Sequence, residues 1–112
     1  MYIATHNKNP YFSGYMLEKS QIISFLRENI QLLHDEYGVV DIGLIGSYAR
    51  DEQTNDSDSD LLVEFSEVNY HYLAGLTIFL EKKFGKKVDV VRKRDVMRKS
   101  FIKTATRDII HV

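Results

Sequence analysis

Between Gly46 and Ser59 the chain runs Gly-Ser-Tyr-Ala-Arg-Asp-Glu-Gln-Thr-Asn-Asp-Ser-Asp-Ser, with almost nothing large and apolar in it. On one side stands a β-branched apolar run, Val39 to Ile45, and on the other a second strand-like segment, Asp60 to Phe65. Each reads as a strand, the first fully buried. A chain so divided is confined to folds in which two strands are joined by a long polar connection.

The remaining segments fill in around that unit. Ile22, Leu26, Ile30, Leu33 and Tyr37 recur at spacings of four and three, which predicts one helix with a single apolar stripe. Gly38 stands where a helix-terminating glycine belongs. Leu73, Leu76, Leu80 and Phe84 predict a second helix, ended by Gly85, and Val88 to Val91 a short third strand. Asp95 can cap a last helix in which Met97, Phe101 and Ala105 share a face. Ile109, Ile110 and Val112 can add a final strand. The order predicts an α/β (α+β) domain, a small mixed sheet packed against helices, over residues 16–112. Residues 1–15 carry turn signals between Tyr2, Tyr11, Phe12 and Tyr15, and read as an N-terminal arm, either flexible or packed.

Composition narrows the function classes. At 112 residues the chain is one domain, and its 44% apolar content and thirteen Phe and Tyr can form a core. Fifteen basic against 16 acidic residues argues against an electrostatic nucleic-acid binder, so no direct nucleic-acid partner is expected. With no Cys there are no disulfides or thiolate metal sites, which fits a reducing compartment. No apolar run approaches a membrane span and no signal peptide pattern stands at the N-terminus, so a cytoplasmic protein is expected.

The chemistry lies in the polar stretch. Gly46 follows directly on a strand, where a phosphate can approach the backbone and a side chain would obstruct it. On that reading a bulkier residue at 46 blocks the ligand while leaving the fold largely intact. Ser47 offers a hydroxyl and an N–H, and residues 47–52 can form a helical turn whose N-terminus faces an anion. Arg50, three residues on, can contact a phosphate or orient an acid. Asp58 and Asp60 differ by two, so on an extended segment their carboxylates share a face and can converge on Mg²⁺. Asp89 interrupts an apolar strand, where a lone charge is disfavoured. If that strand pairs beside Asp60 to Val63, Asp89 joins the same site, and a two-metal phosphoryl-transfer centre results. Taken singly, each feature has a plainer reading: a turn, a solvated acidic loop, an edge charge. Their joint order favours metal chemistry. His6, His34, His71 and His111 show no ligand spacing, and Lys82-Lys83, Lys86-Lys87 and Arg92-Lys93-Arg94 read first as solvated helix ends.

Gly-Leu-Ile-Gly-Ser-Tyr-Ala-Arg, followed by Ser-Asp-Ser-Asp-Leu-Leu-Val and later Val-Asp-Val-Val, resembles the minimal nucleotidyltransferases of the polymerase-beta-like superfamily over about residues 17–112. The resemblance implies a polymerase-beta-like core. It implies that Gly46 and Ser47 hold the triphosphate of ATP, that Asp58 and Asp60 bind Mg²⁺, two ions in all, and that Asp89 is a third metal ligand or a base. Many such proteins are antitoxins paired with a HEPN-domain toxin, a ribonuclease, and transfer AMP from ATP to a toxin tyrosine. That implies a hetero-oligomer with a HEPN-type partner. Two rivals remain: an antitoxin acting by contact alone, and a small-molecule nucleotidyltransferase, whose usual extra helical domain this chain lacks. The chain departs from the pattern at Asp51, where glycine is frequent, and at Ser59, where Ile or Leu often separates the paired acids. Asp51 would place negative charge near the phosphates, whereas Ser59 should point away from the metal.

Overall fold

The computed structural model describes residues 17–54, 56–93 and 109–112. The N-terminal arm and the helix expected from Asp95 lie outside the described residues.

Helix α1, Lys19–Glu28, begins where the Glu18 backbone N–H donates to Gln21 Oε1 at 2.8 Å, half of a capping box. Its Ile22, Phe25 and Leu26 are buried. The apolar stripe expected to run unbroken to Tyr37 is interrupted at Asn29, and α2, Ile30–Tyr37, starts afresh. The Asn29 side-chain amide donates to the Phe25 carbonyl at 2.8 Å, sharing that acceptor with its own backbone N–H at 3.1 Å. The break rotates the stripe, so Ile30 is exposed while Leu33 is fully buried. Gly38 ends α2 at φ 65°, its N–H bonded to the His34 carbonyl. A Cβ there would run into the Tyr72 ring.

The strands are β1, Val39–Ile45, β2, Ser59–Phe65, β3, Val88–Arg92, and β4, Ile110–His111, in the order β3-β2-β1-β4. β1 is antiparallel to both neighbours, and β2 and β3 are parallel. A parallel pair needs a crossover, which here contains helix α4, Tyr70–Phe84, capped by Asn69 Oδ1 accepting from His71 N–H at 2.9 Å. The mixed sheet is the one expected. Between β1 and β2 stands a single helical turn, α3, Gly46–Ala49.

Period-2 alternation gives the sheet two unlike faces. Val39, Ile42 and Leu44 of β1, Leu61 and Val63 of β2 and Val88 of β3 join Ile22, Phe25, Leu26, Leu33, Leu76, Leu80 and Phe84 of the helices in the main core. Phe25 packs edge-on to Phe84 with ring centroids 5.5 Å apart. Burying each such side chain contributes roughly 1.5–3 kcal/mol, which is what fixes the helices to this face. The other face carries a small cluster, Ile45 and Leu62 with Val91 and Ile109 against them. Asp60 and Asp89 alternate onto this second face. No helix among the described residues is long and apolar enough to cross a membrane.

Candidate active site

The expected acids come from two adjacent parallel strands in register. Asp60 and Asp89 are Cα partners in the β2–β3 ladder, and Asp60 also faces Ile45 across β1. Asp58 lies two residues before Asp60, half-buried, with Lys87 Nζ 4.0 Å from its carboxylate. Asp60 sits beside the turn that follows β1 and Asp89 is exposed. The Asp60 carboxyl titrates above its ordinary 3.8, first because burial disfavours its charge, then because Asp89 and Asp58 repel it, with Arg50 opposing. So the three acids and Arg50 share one electrostatic neighbourhood. Among the described residues no three His, Asp or Glu side chains close on a point as a ready-made metal cage.

Gly46 opens α3 at φ 76°, a left-handed conformation that favours glycine. A Cβ at this position would strike the Asp60 carboxylate, with Asp60 Cβ and Cγ only 3.2 Å away. The glycine therefore has a second reason besides ligand access: it lets the turn lie directly on Asp60. The expectation that a bulky residue at 46 spares the fold is corrected accordingly, since both the backbone and Asp60 would have to move. Ser47 is the second residue of α3, partly exposed. The turn is four residues long rather than the six expected. It offers an anion free N–H groups and little dipole.

Arg50 caps the turn, and its Nε donates to Glu52 Oε1 at 2.8 Å. Asp51 has φ 57°, and its carboxylate pairs with Lys19 Nζ at 2.8 Å. The negative charge anticipated near the phosphates is thus partly compensated from α1. Ser59 is fully buried on the core side, away from the acids as expected, and its hydroxyl has no hydrogen-bond partner among the described residues.

Two residues of this region were not legible as such. Tyr48 is fully buried, and its hydroxyl accepts from Lys86 Nζ at 2.7 Å. The available signal was that Tyr48 and Ala49 are the apolar exceptions in the polar stretch. Lys86, read as a solvated helix end, is partly buried in that contact.

Comparison with known proteins bears on family and fold. The profile described as nucleotidyltransferase domain matches residues 20–111. A Methanocaldococcus jannaschii protein named as a candidate protein adenylyltransferase is 43% identical over 97 residues, covering 83% of this chain and 96% of that protein. The protein adenylyltransferase MntA of Thermococcus cleftensis is 36% identical over 98 residues, 87% of this chain and 98% of its own. A solved structure described as a candidate minimal nucleotidyltransferase matches with a TM-score of 0.72 at 32% identity, over 87% of this chain and 98% of that one. A chain in a complex of a tri-AMPylated Shewanella oneidensis HEPN toxin with an MNT antitoxin shares the fold, with a TM-score of 0.52 at 21% identity over 83% of this chain and 66% of that one.

Proposed function

This chain belongs to the nucleotidyltransferase domain family, and on that premise we propose that it transfers AMP from ATP to a tyrosine hydroxyl of a HEPN-type partner protein and so acts as an antitoxin. The observation that carries the reading is the grouping of Asp58, Asp60 and Asp89 beside the Gly46–Ser47 turn, where burial first, and then the charges of Asp89 and Asp58, raise the Asp60 carboxyl above its ordinary value. Like charges drawn together at a half-exposed site are unfavourable in isolation and become favourable with a cation among them. All three donors are hard carboxylate oxygens, the type that Mg²⁺ takes together with phosphate and water. Asp58, Asp60 and Asp89 would hold the metal, two ions in the full complex. When bound, Mg²⁺ neutralises phosphate charge and favours in-line displacement at phosphorus.

The chain's own residues account for the remainder. Gly46 and Ser47 offer backbone N–H groups and a hydroxyl to the triphosphate, and Arg50 adds positive charge beside Asp60. The acceptor oxygen forms a bond to the α-phosphorus as the bond to pyrophosphate breaks, and the hydroxyl proton is lost. Asp89 would receive it, a role its exposure to solvent supports. Relatives carrying the adenylyltransferase name at 43% and 36% identity support the adenylyl group. The shared fold with the antitoxin complex supports the partner class.

The test is to incubate the protein with ATP, Mg²⁺ and a HEPN-type protein, and to weigh the partner by mass spectrometry. One added AMP on tyrosine, lost with Asp58→Asn/Asp60→Asn, is the expected result. A partner that stays unmodified yet is silenced equally by wild type and double variant leaves inhibition by contact alone.

A further inference from the structure

Helix α4 ends at Gly85, and Lys86 and Lys87 carry the chain into β3. These two residues reach both halves of the site. The Lys86 ammonium donates to the Tyr48 hydroxyl at 2.7 Å and lies 4.9 Å from the centroid of the same ring. The Lys87 carbonyl accepts the backbone N–H of Ser59, between the paired acids, at 3.2 Å. Asp89 follows two residues later. The connector is itself tied to α4, where Glu81 Oε2 accepts the Val88 N–H at 3.1 Å.

α3 is a single turn, too short to hold its own conformation through helix cooperativity. Its placement must come from tertiary contacts, and Tyr48 is the large side chain it buries. A buried phenol hydroxyl requires a partner, and Lys86 provides one that is also charged. Gly46, two residues before Tyr48, lies against Asp60. A shift of Tyr48 therefore displaces the Gly46–Ser47 backbone relative to the acids.

We propose that Lys86 is a positioning residue for nucleotidyl transfer: through Tyr48 its ammonium fixes the Gly46–Ser47 turn against Asp60, while touching no substrate itself. The inference rests on the reading of this site as the nucleotide site, but its structural half can be tested without nucleotide. The variants are Lys86→Met, which keeps the length of the stem and removes donor and charge, Tyr48→Phe, which removes the acceptor, their combination, and Lys86→Arg, which retains a cationic donor. In metal-free protein, hydrogen exchange should quicken about tenfold at the Arg50 and Glu52 amides that close this turn, the factor that loss of one charge-assisted hydrogen bond supports. The Leu44 and Leu61 amides in the sheet should be unchanged. With Mg²⁺ and ATP, calorimetry should show weaker binding in both single variants, no further loss in the double variant, and partial recovery in Lys86→Arg. Turn amides that exchange as in wild type, or a rise spread evenly over the sheet, would overturn the inference. So would single-variant losses that add in the double variant, because Lys86 would then act independently of Tyr48. Failure of wild-type protein to bind Mg²⁺ and ATP would instead defeat the nucleotide reading, and the exchange measurement would still decide whether the clamp exists.

Discussion

Replacing Ser59 with alanine should make this protein more stable. The Ser59 side chain is fully buried on the core side of β2 and its hydroxyl has no hydrogen-bond partner among the described residues. A buried hydroxyl left unpaired carries a desolvation penalty of about 1–3 kcal/mol. Removing one oxygen opens a void of roughly 15 Å³, which at about 24 cal/mol per Å³ takes back roughly 0.4 kcal/mol. The net expectation is a gain of about 1 kcal/mol, equivalent to a melting temperature higher by roughly 4 °C for a domain of this size. Urea unfolding with EDTA present measures it, provided the slope with denaturant is unchanged. Because Asp58 and Asp60 alternate to the opposite face, ATP affinity in the presence of Mg²⁺ should not change. A Ser59→Ala protein less stable than wild type would refute the reasoning, since the hydroxyl would then have a partner such as a buried water.

Three further outcomes follow from the site. Asp60 has a raised carboxyl pKa in the folded protein, so its ionisation is a burden on the metal-free fold that is fully present above the folded pKa and disappears as pH falls below about 3.8, the unfolded value. Asp60→Asn should therefore be more stable than wild type at pH 7 in EDTA and lose that advantage in acid, and urea titrations that show a gap independent of pH would disprove the assignment. Asp51 adopts φ 57°, so Asp51→Gly should exceed Asp51→Ala in stability by about 1 kcal/mol by relieving the left-handed backbone, whereas equal melting curves would mean that the turn rearranges. Gly46→Ala should lose at least about 1–2 kcal/mol from its backbone conformation alone, with less lost in an Asp60→Ala background, where the contact is relieved; a double-mutant cycle with no coupling would contradict the packing of Gly46 on Asp60.

What could be read in advance depended on the range of the interaction. The strands around residues 39–45, 59–65 and 88–92 were legible because short apolar runs bounded by glycine and polar turn residues declare themselves locally. Asp58 and Asp60 were legible through the period of two, and the ladder then placed Asp89 opposite Asp60 as the spacing of elements implied. The break at Asn29 was not legible, because an apolar period continues across it and the local difference is a single side-chain amide that shares the Phe25 carbonyl with the Asn29 backbone N–H. Lys86 and Tyr48 stand 38 residues apart, and nothing local distinguishes a lysine that will bury its ammonium on a phenol from one that stays in water. The same holds for Gly46: its place after a strand was visible, but the carboxylate above its Cα belongs to another strand.

The Asp-Ser-Asp alternation also explains how so short a chain can tolerate its site. Three acids that repel one another must lie where no core packing depends on them. In β2 the residues flanking Asp60 in sequence, Ser59 and Leu61, point to the helix-covered face, whose core includes Leu61, Leu76, Leu80 and Phe25. Asp60 points to the other face, which among the described residues carries the small Ile45–Leu62 cluster. Repulsion among the acids thus falls on the face away from the main core, and the apolar area of that core lies on the other. Substitutions should divide by the same rule. Those on the helix-covered face should change stability with little effect on ligand affinity. Those at Asp58, Asp60 and Asp89 should change ligand affinity and leave the metal-free fold as stable as before or, at Asp60, more so.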